Sequence, residues 1–255
     1  LIRKRVLALR EQMPLDKRLF AKQRIIGKLL GLPGYIRADV VLGFVGYGSE
    51  IDTLPFLEQA VKDGKKVYCP VSQADSTMEF YRFTKREDLK EGYKKIPEPS
   101  TAGERFDKNR IRSEKPPKIF MLMPGVAFDG NRRRIGYGSG FYDRYLADFR
   151  PDQIAAVCFE CQIVEEVPAE EFDILPDLLI TENAVLNQDK CVKRHDEKYE
   201  ILIGICVEAH KGGTYEHNGN GKKSGDGKIQ LTISCRRKKR AGSSCSGGSF
   251  STGKQ

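Results

Sequence analysis

The sequence predicts an α/β fold of three layers, a mostly parallel sheet flanked by helices, followed by a basic low-complexity C-terminal extension. Three observations predict it. Apolar runs of strand length alternate with amphipathic helical patterns through residues 1–186, the pattern of a layered α/β domain. Those runs (ADVVLGFV, IFMLM, IAAVCF) are nearly continuous, as in strands buried on both faces. From 187 to 255 the apolar content falls and Gly, Ser and Lys take over, so residues 1–186 read as the body and 187–255 as a largely disordered extension.

Residues 2–12 read as a short helix, interrupted by Pro14, and 16–30 as a second, with Leu19, Ile25, Ile26, Leu29 and Leu30 on its apolar face. Arg3, Lys4, Arg5 and Arg10 read as a solvated face of the first helix. A buried-type strand at 38–45 leads through GYGSEIDT into a helix at 54–62. Asp52 and Thr53 suit capping of that helix, and Glu50 is less easily explained that way. A carboxylate just past a strand is where open α/β sheets put ligand contacts. Residues 66–71 (KVYCPV) are a strand ending at Pro70. Residues 78–83 (MEFYRF) alternate like an edge or hairpin strand, with Phe80 and Tyr81 on its two faces. A Pro-punctuated loop spans 89–99, and a polar, mobile loop spans 100–117. Strands at 119–123 and 154–159 and a last strand, LLIT, at 178–181 complete the body. Cys158 and Cys161 form a lone C-x-x-C, read as buried strand and loop thiols rather than a metal site.

The densest chemical signal is PGVAFDGNRRRIGYGSGFYDRYL at 124–146. A turn (Asp129, Gly130, Asn131) precedes Arg132, Arg133 and Arg134. Then Gly136, Gly138 and Gly140 alternate ahead of the helix-like FYDRYLADF. Glycines permit tight turns and close approach to a ligand. A following helix would aim free N–H groups at an anion, and arginines suit phosphate. Asp143, in the first turn of that helix, would repel a polyphosphate unless a divalent cation lay between them. The local reading is a Mg-nucleotide site. It is not a P-loop, because Phe141 follows Gly140 where Lys-Ser or Lys-Thr is needed. It is not a dinucleotide fingerprint, because the charged NRRRI precedes it and the spacing is G-x-G-x-G.

P-G-V-A-F-D followed by R-I-G-Y-G-S-G-F-Y-D-R-Y-L resembles the C-terminal motif of the 5-formyltetrahydrofolate cyclo-ligases, or methenyltetrahydrofolate synthetases, and the resemblance extends over residues 1–186. It implies an ATP- and Mg²⁺-dependent conversion of 5-formyltetrahydrofolate to 5,10-methenyltetrahydrofolate, with release of ADP and phosphate. It implies that Arg134, Gly136, Gly138, Gly140 and Arg3 hold the polyphosphate, Arg3 matching the Arg of a family Lys-x-x-x-Arg. Tyr137, Ser139 and Phe141 belong to the same nucleotide loop, with backbone contacts from the variable positions Tyr137 and Ser139. Glu50, matching the Glu of S-x-E-[IV]-x-T, and Tyr142 would contact the folate, since a carboxylate is the natural acceptor for adjacent pterin N–H groups. Asp143 and Asp173, the latter from the family's E-x-x-D, would hold Mg²⁺. From the residues alone, Asp173 reads as a turn acid before a strand. At Lys95 the family often has Gly. The family packs folate near the MEFYRF strand.

Composition narrows the partners. Of the formal charge of +9, residues 187–255 carry +7, so the basic excess belongs to the extension rather than the body. That argues against nucleic-acid binding by the body and leaves weak polyanion contact to the extension, with its RRKKR at 236–240. The pairs Cys191/His195 and Cys206/His210 match no common zinc-finger spacing, and residues 199–207 read as one strand. The only histidines, His195, His210 and His217, all lie in the extension, so no Ser/His/Asp constellation exists in the body. No run reaches membrane-span length, and seven irregularly spaced cysteines point to free thiols and a reducing, cytoplasmic setting. The expected state is a monomer or homodimer acting on a small molecule. The alternative is an inactive relative that binds nucleotides or polyanions through its basic extension.

Overall fold

The structure is a computed structural model that describes residues 1–187 other than 74, 76, 110–113, 169 and 171. The strand expected at 199–207, the RRKKR run and the Cys/His pairs lie outside the described residues. In chain order the elements are α1 (Ile2–Glu11), α2 (Leu15–Leu30), α3 (Pro33–Arg37), β1 (Val40–Leu42), α4 (Leu54–Lys62), β2 (Lys66–Ser72), β3 (Met78–Phe83), β4 (Lys90–Glu91), β5 (Pro97–Glu98), β6 (Ile119–Met123), β7 (Ala127–Phe128), β8 (Arg134–Ile135), α5 (Phe141–Leu146), β9 (Gln153–Val157), β10 (Leu178–Ile180) and β11 (Val185–Leu186).

Seven strands form one sheet in the order β11-β10-β9-β6-β1-β2-β3. The inner five pair in parallel, and the edges β3 and β11 are antiparallel. Both faces are covered, which is why the strand runs are apolar throughout. Val41, Phe120 and Leu122 face Ile25, Leu29, Phe56 and Leu57 from α2 and α4. Leu42, Met121, Ile154 and Ala156 share the other core with Phe80 of β3 and with Phe106, Tyr145 and Phe149. Burying each such large side chain contributes roughly 1.5–3 kcal/mol. In α2 the buried seam is Ala21, Ile25 and Leu29, at the four-residue spacing of one helical face. Leu19, expected on that face, is exposed.

Two strand limits differ from expectation. β1 pairs only through Leu42, after which Gly43 begins the exit toward the GYGSEIDT loop. β2 continues through Pro70, which pairs with Phe80 of β3. On its other side β2 is matched by β1 only as far as Tyr68, so the missing proline N–H disrupts no ladder there. In the 100–117 segment Phe106 is buried, with its ring centroid 5.4 Å from that of Tyr68. Among the described residues no helix is long and apolar enough to cross a membrane.

The topology fixes where a ligand belongs. Counting only the parallel strands, the chain winds one way from β1 to β2 and the other way from β6 to β9 and β10. The reversal lies between β1 and β6, and open sheets bind ligands beyond the carboxyl ends of strands at such a point. The loop after β1 carries Glu50, and the segment after β6 carries the glycine-rich motif.

Candidate functional site

Between β6 and the glycines the chain makes a small hairpin, β7 paired with β8, where a simple turn was expected. Asp129 holds its turn. The side chain is 1% exposed, with Oδ1 accepting from Asn131 N at 2.9 Å and Arg133 N at 3.0 Å, and Oδ2 accepting from Val167 N at 3.1 Å. Arg132 takes a left-handed backbone (φ 65°) in the same turn. The hairpin sets Arg134 opposite Phe128 and delivers the chain to the glycine loop. There Gly138 (φ 104°) and Gly140 (φ 60°) adopt conformations that a side chain would oppose. α5 spans only Phe141–Leu146, shorter than the FYDRYLADF pattern suggested. Its macrodipole is accordingly small, and the arginines carry the site's positive charge.

Two of those arginines come from α1. Arg3 and Arg10 are seven positions apart, nearly two helical turns, and so share one face with Val6 between them. Val6 packs on Val126 and Ala127. Arg3 Nε donates to Gly136 O at 2.9 Å, and its guanidinium lies against Gly138, where an added Cβ would come 3.4 Å from Nη2. Arg10 is only 2% exposed, which corrects the solvated-face reading for that residue. It donates from Nε to Ser49 Oγ at 2.9 Å and from Nη2 to Tyr137 OH at 2.8 Å.

Glu50 lies at the other end of this contact. Its Oε1 accepts from Tyr137 OH at 2.9 Å, and its Oε2 from Tyr47 N at 3.0 Å. Tyr137 therefore does more than the backbone contact expected of a variable loop position. Asp52 caps α4 as expected, through Leu54 N at 3.2 Å. Thr53 does not. Its hydroxyl instead donates to Phe44 O and accepts from Gly46 N, tying the loop to the end of β1. Tyr142 is half-buried, and its phenol is pushed up by burial and by the Glu50 charge.

Arg134 Nη2 donates to Asp143 Oδ1 at 2.6 Å, and Ile174 N reaches the same oxygen at 3.1 Å. This brings the Asp143 carboxylate beside the turn that carries Asp173, whose Oδ2 accepts from Glu170 N at 2.9 Å. The Arg134 side chain is 8% exposed, and its Nε is buried with no hydrogen-bond partner. Arg144 closes the loop by donating to Ser139 O, with its guanidinium 5.9 Å from the centre of the Phe141 ring. Phe80 is fully buried, 4.9 Å from Tyr145 between ring centroids, and faces no solvent. Cys158 is buried and Cys161 half-buried, both free thiols, and no cluster of three metal-ligating side chains occurs among the described residues.

Sequence reasoning missed three polar anchors of the site's frame. Asp129 is one. Gln162 is the second, donating from its buried amide to Gly125 O at 3.1 Å and Val126 O at 2.9 Å. Glu98, accepting from Ser72 N at 3.0 Å and Tyr93 N at 3.3 Å, is the third and holds the 92–98 turn. In that turn Lys95 sits at φ 63°, a backbone that favours glycine and explains why the resembling family often has Gly there.

The sequence model of the 5-formyltetrahydrofolate cyclo-ligase family matches residues 1–182. The 5-formyltetrahydrofolate cyclo-ligase of Escherichia coli (strain K12) is 31% identical over 169 residues, covering 64% of this chain and 88% of that protein. Its counterpart in Mus musculus is 24% identical over 193 residues, covering 72% of this chain and 91% of that protein. The NMR structure of Aquifex aeolicus 5,10-methenyltetrahydrofolate synthetase matches with a TM-score of 0.63 and 27% identity, covering 79% of this chain and 97% of that one. In sequence and in fold alike, this chain belongs to the 5-formyltetrahydrofolate cyclo-ligase family.

Proposed function

We propose that the site at the carboxyl ends of β1 and β6 converts 5-formyltetrahydrofolate to 5,10-methenyltetrahydrofolate at the expense of ATP, releasing ADP and phosphate. The formyl oxygen, an amide-like and poor leaving group, takes the phosphoryl group of ATP. N10 then attacks the activated carbon, the ring closes, and the oxygen departs as phosphate. Phosphoryl transfer of this kind needs positioning and charge neutralisation rather than a protein nucleophile. A site rich in Gly and Arg, with every histidine of the sequence in the C-terminal extension, suits it.

The observation that carries the assignment is Arg134. A buried guanidinium whose Nε has no partner, beside a loop of left-handed glycines, is a donor kept for an anion. Arg134, Arg3 and the backbone of Gly136, Tyr137, Gly138, Ser139, Gly140 and Phe141 hold the polyphosphate. Glu50 accepts from the pterin N–H groups, and Tyr142 lines the folate side.

The carboxylates fit Mg²⁺. Both bonds to Asp143 fall on Oδ1 and the one side-chain bond to Asp173 on Oδ2, so each keeps an oxygen with no hydrogen bond among the described residues. Mg²⁺ bound to nucleotide needs only one or two protein carboxylates, with phosphates and water filling the rest. Once bound there, the ion would offset charge on the phosphates, and Asp143 and Asp173 would hold it. The test is a near-ultraviolet assay for the methenyl chromophore with 5-formyltetrahydrofolate, Mg²⁺ and ATP, against an ATP-free control. Product that appears only with ATP is the expected result. Silence from folded protein would transfer the reading to an inactive binding protein.

A further inference from the structure

Arg10, Tyr137 and Glu50 form a continuous polar chain that joins two loops. Arg10 belongs to α1, Tyr137 to the glycine-rich loop after β8, and Glu50 to the loop after β1. The phenol carries a single proton. Because Arg10 Nη2 donates to its oxygen at 2.8 Å, that proton is directed to Glu50 Oε1, 2.9 Å away. Among the described residues Arg10 has no direct carboxylate partner, so its countercharge is Glu50, reached through the phenol. Desolvation of its hydroxyl end, followed by the Glu50 charge, holds the Tyr137 phenol above its ordinary pKa, although the residue as a whole stays exposed.

The backbone that carries this phenol is the nucleotide loop itself. Tyr137 stands between Gly136, whose carbonyl is held by Arg3, and Gly138 at φ 104°. The pocket lined by Glu50, Arg10, Phe44 and Gly125 is only about 10 Å³, room for at most one water. That space does not admit a pterin in this structure, and Tyr137, on Glu50 Oε1, is 53% exposed.

We propose that Tyr137 is a coupling residue. Its hydroxyl, fixed by Arg10, ties the position of the glycine-rich loop to the orientation of Glu50, so that nucleotide on the loop and reduced folate at Glu50 raise each other's affinity. This rests on the site reading given above. Tyr137 acts through Glu50 and is a positioning residue for the folate. The coupling is reciprocal by linkage, whichever ligand binds first.

The test is a binding cycle on the full chain. Calorimetric Kd values for a non-hydrolysable ATP analogue with Mg²⁺ are measured with and without saturating 5-formyltetrahydrofolate, in the wild type and in Tyr137→Phe. The wild type should show a coupling factor of about 5–150-fold, and Tyr137→Phe, which removes one oxygen atom, should bring it close to one. Arg10→Met should do the same from the other end of the chain. A Tyr137→Phe protein that keeps the wild-type factor overturns the relay and leaves the site reading standing. So does a wild type that binds both ligands independently. A wild type that binds neither overturns the site reading and the relay together.

Discussion

At the amino ends of β1 and β2 an open cleft of about 600 Å³ is lined by Ala38, Lys65, Lys66, Tyr68, Phe106 and Lys115 among others, whereas the pocket lined by Glu50 and Arg10 at the carboxyl ends is about 10 Å³. By size alone the ligand would go to the wrong end. Lys65, Asp63 and Asp39, three polar groups lining the cleft, are already paired within the protein. Lys65 Nζ donates to Ala38 O at 2.8 Å and Ile36 O at 3.2 Å, and lies 4.8 Å from the centre of the Tyr35 ring. Asp63 accepts from Tyr35 OH at 2.5 Å and from Gln59 at 2.7 Å, and Asp39 accepts from Lys118 N at 2.8 Å. At the other end, among the described residues, Arg134 Nε has no partner, and Asp143 and Asp173 each keep an oxygen without a hydrogen bond. The proposed site is thus marked less by empty volume than by an unpartnered arginine nitrogen beside left-handed glycines.

The contrast can be attacked from both ends. The largest effect belongs to Asp143→Asn, which should lower turnover by on the order of 10²–10³-fold while the circular dichroism spectrum stays native. Full turnover at ordinary Mg²⁺ would remove Asp143 from any metal role. Arg134→Met comes next: nucleotide affinity should weaken by roughly 10–100-fold in a calorimetric titration, the worth of charge-assisted bonds to phosphate. Arg134→Lys should restore little of it, because an ammonium cannot reproduce the guanidinium fork. At the cleft end the signature reverses. Lys65→Met should cost about 1–3 kcal/mol in urea unfolding, by leaving the buried Ala38 carbonyl and the part-buried Ile36 carbonyl without their donor, with turnover unchanged. Lost turnover at native stability would break the comparison.

The smallest effect is a pH dependence. Lys28, which donates to Thr181 O at 2.7 Å and Glu182 O at 2.9 Å, is pushed down from 10.5 to about 8, chiefly by burial and then by Arg24. Between those values the unfolded chain binds more protons than the folded one, so this lysine makes stability rise with pH across the window. Lys28→Met should flatten that rise, read as the difference between urea midpoints near both ends of the window.

What the sequence revealed and what it hid divide along physical lines. Strands buried on both faces announce themselves as apolar runs, so IFMLM at 119–123 agrees with β6 to the residue. The glycine loop and Glu50 were visible because turn chemistry and a carboxylate past a strand are local signals. Arg10 was not, because nothing within α1 reports a phenol 127 positions away. The β7–β8 hairpin has two-residue strands, too short to show a period, and Asp129 looks like any turn acid until its backbone partners are known. The length of α5 was overestimated because Phe149 continues the aromatic pattern, although it is buried after the helix has ended.

The attachment of α1 has a dynamic consequence. Its ten residues bury Val6 and Arg10, pack Ile2 and Leu7 beside Val6, and are tied to the rest of the body by Arg3 on Gly136 O, Arg10 on Ser49 and Tyr137, and Arg18 on Arg10 O and Glu11 O. Detaching this helix, which lies outside the sheet, costs less than opening the seven-stranded sheet itself. Site assembly is therefore an equilibrium of its own, poised below global unfolding, and both arginines leave the loop in one event. Ligands that engage the loop draw on that equilibrium, so the amides of α1 gain hydrogen-exchange protection on binding while those of β6, already locked in the core, do not.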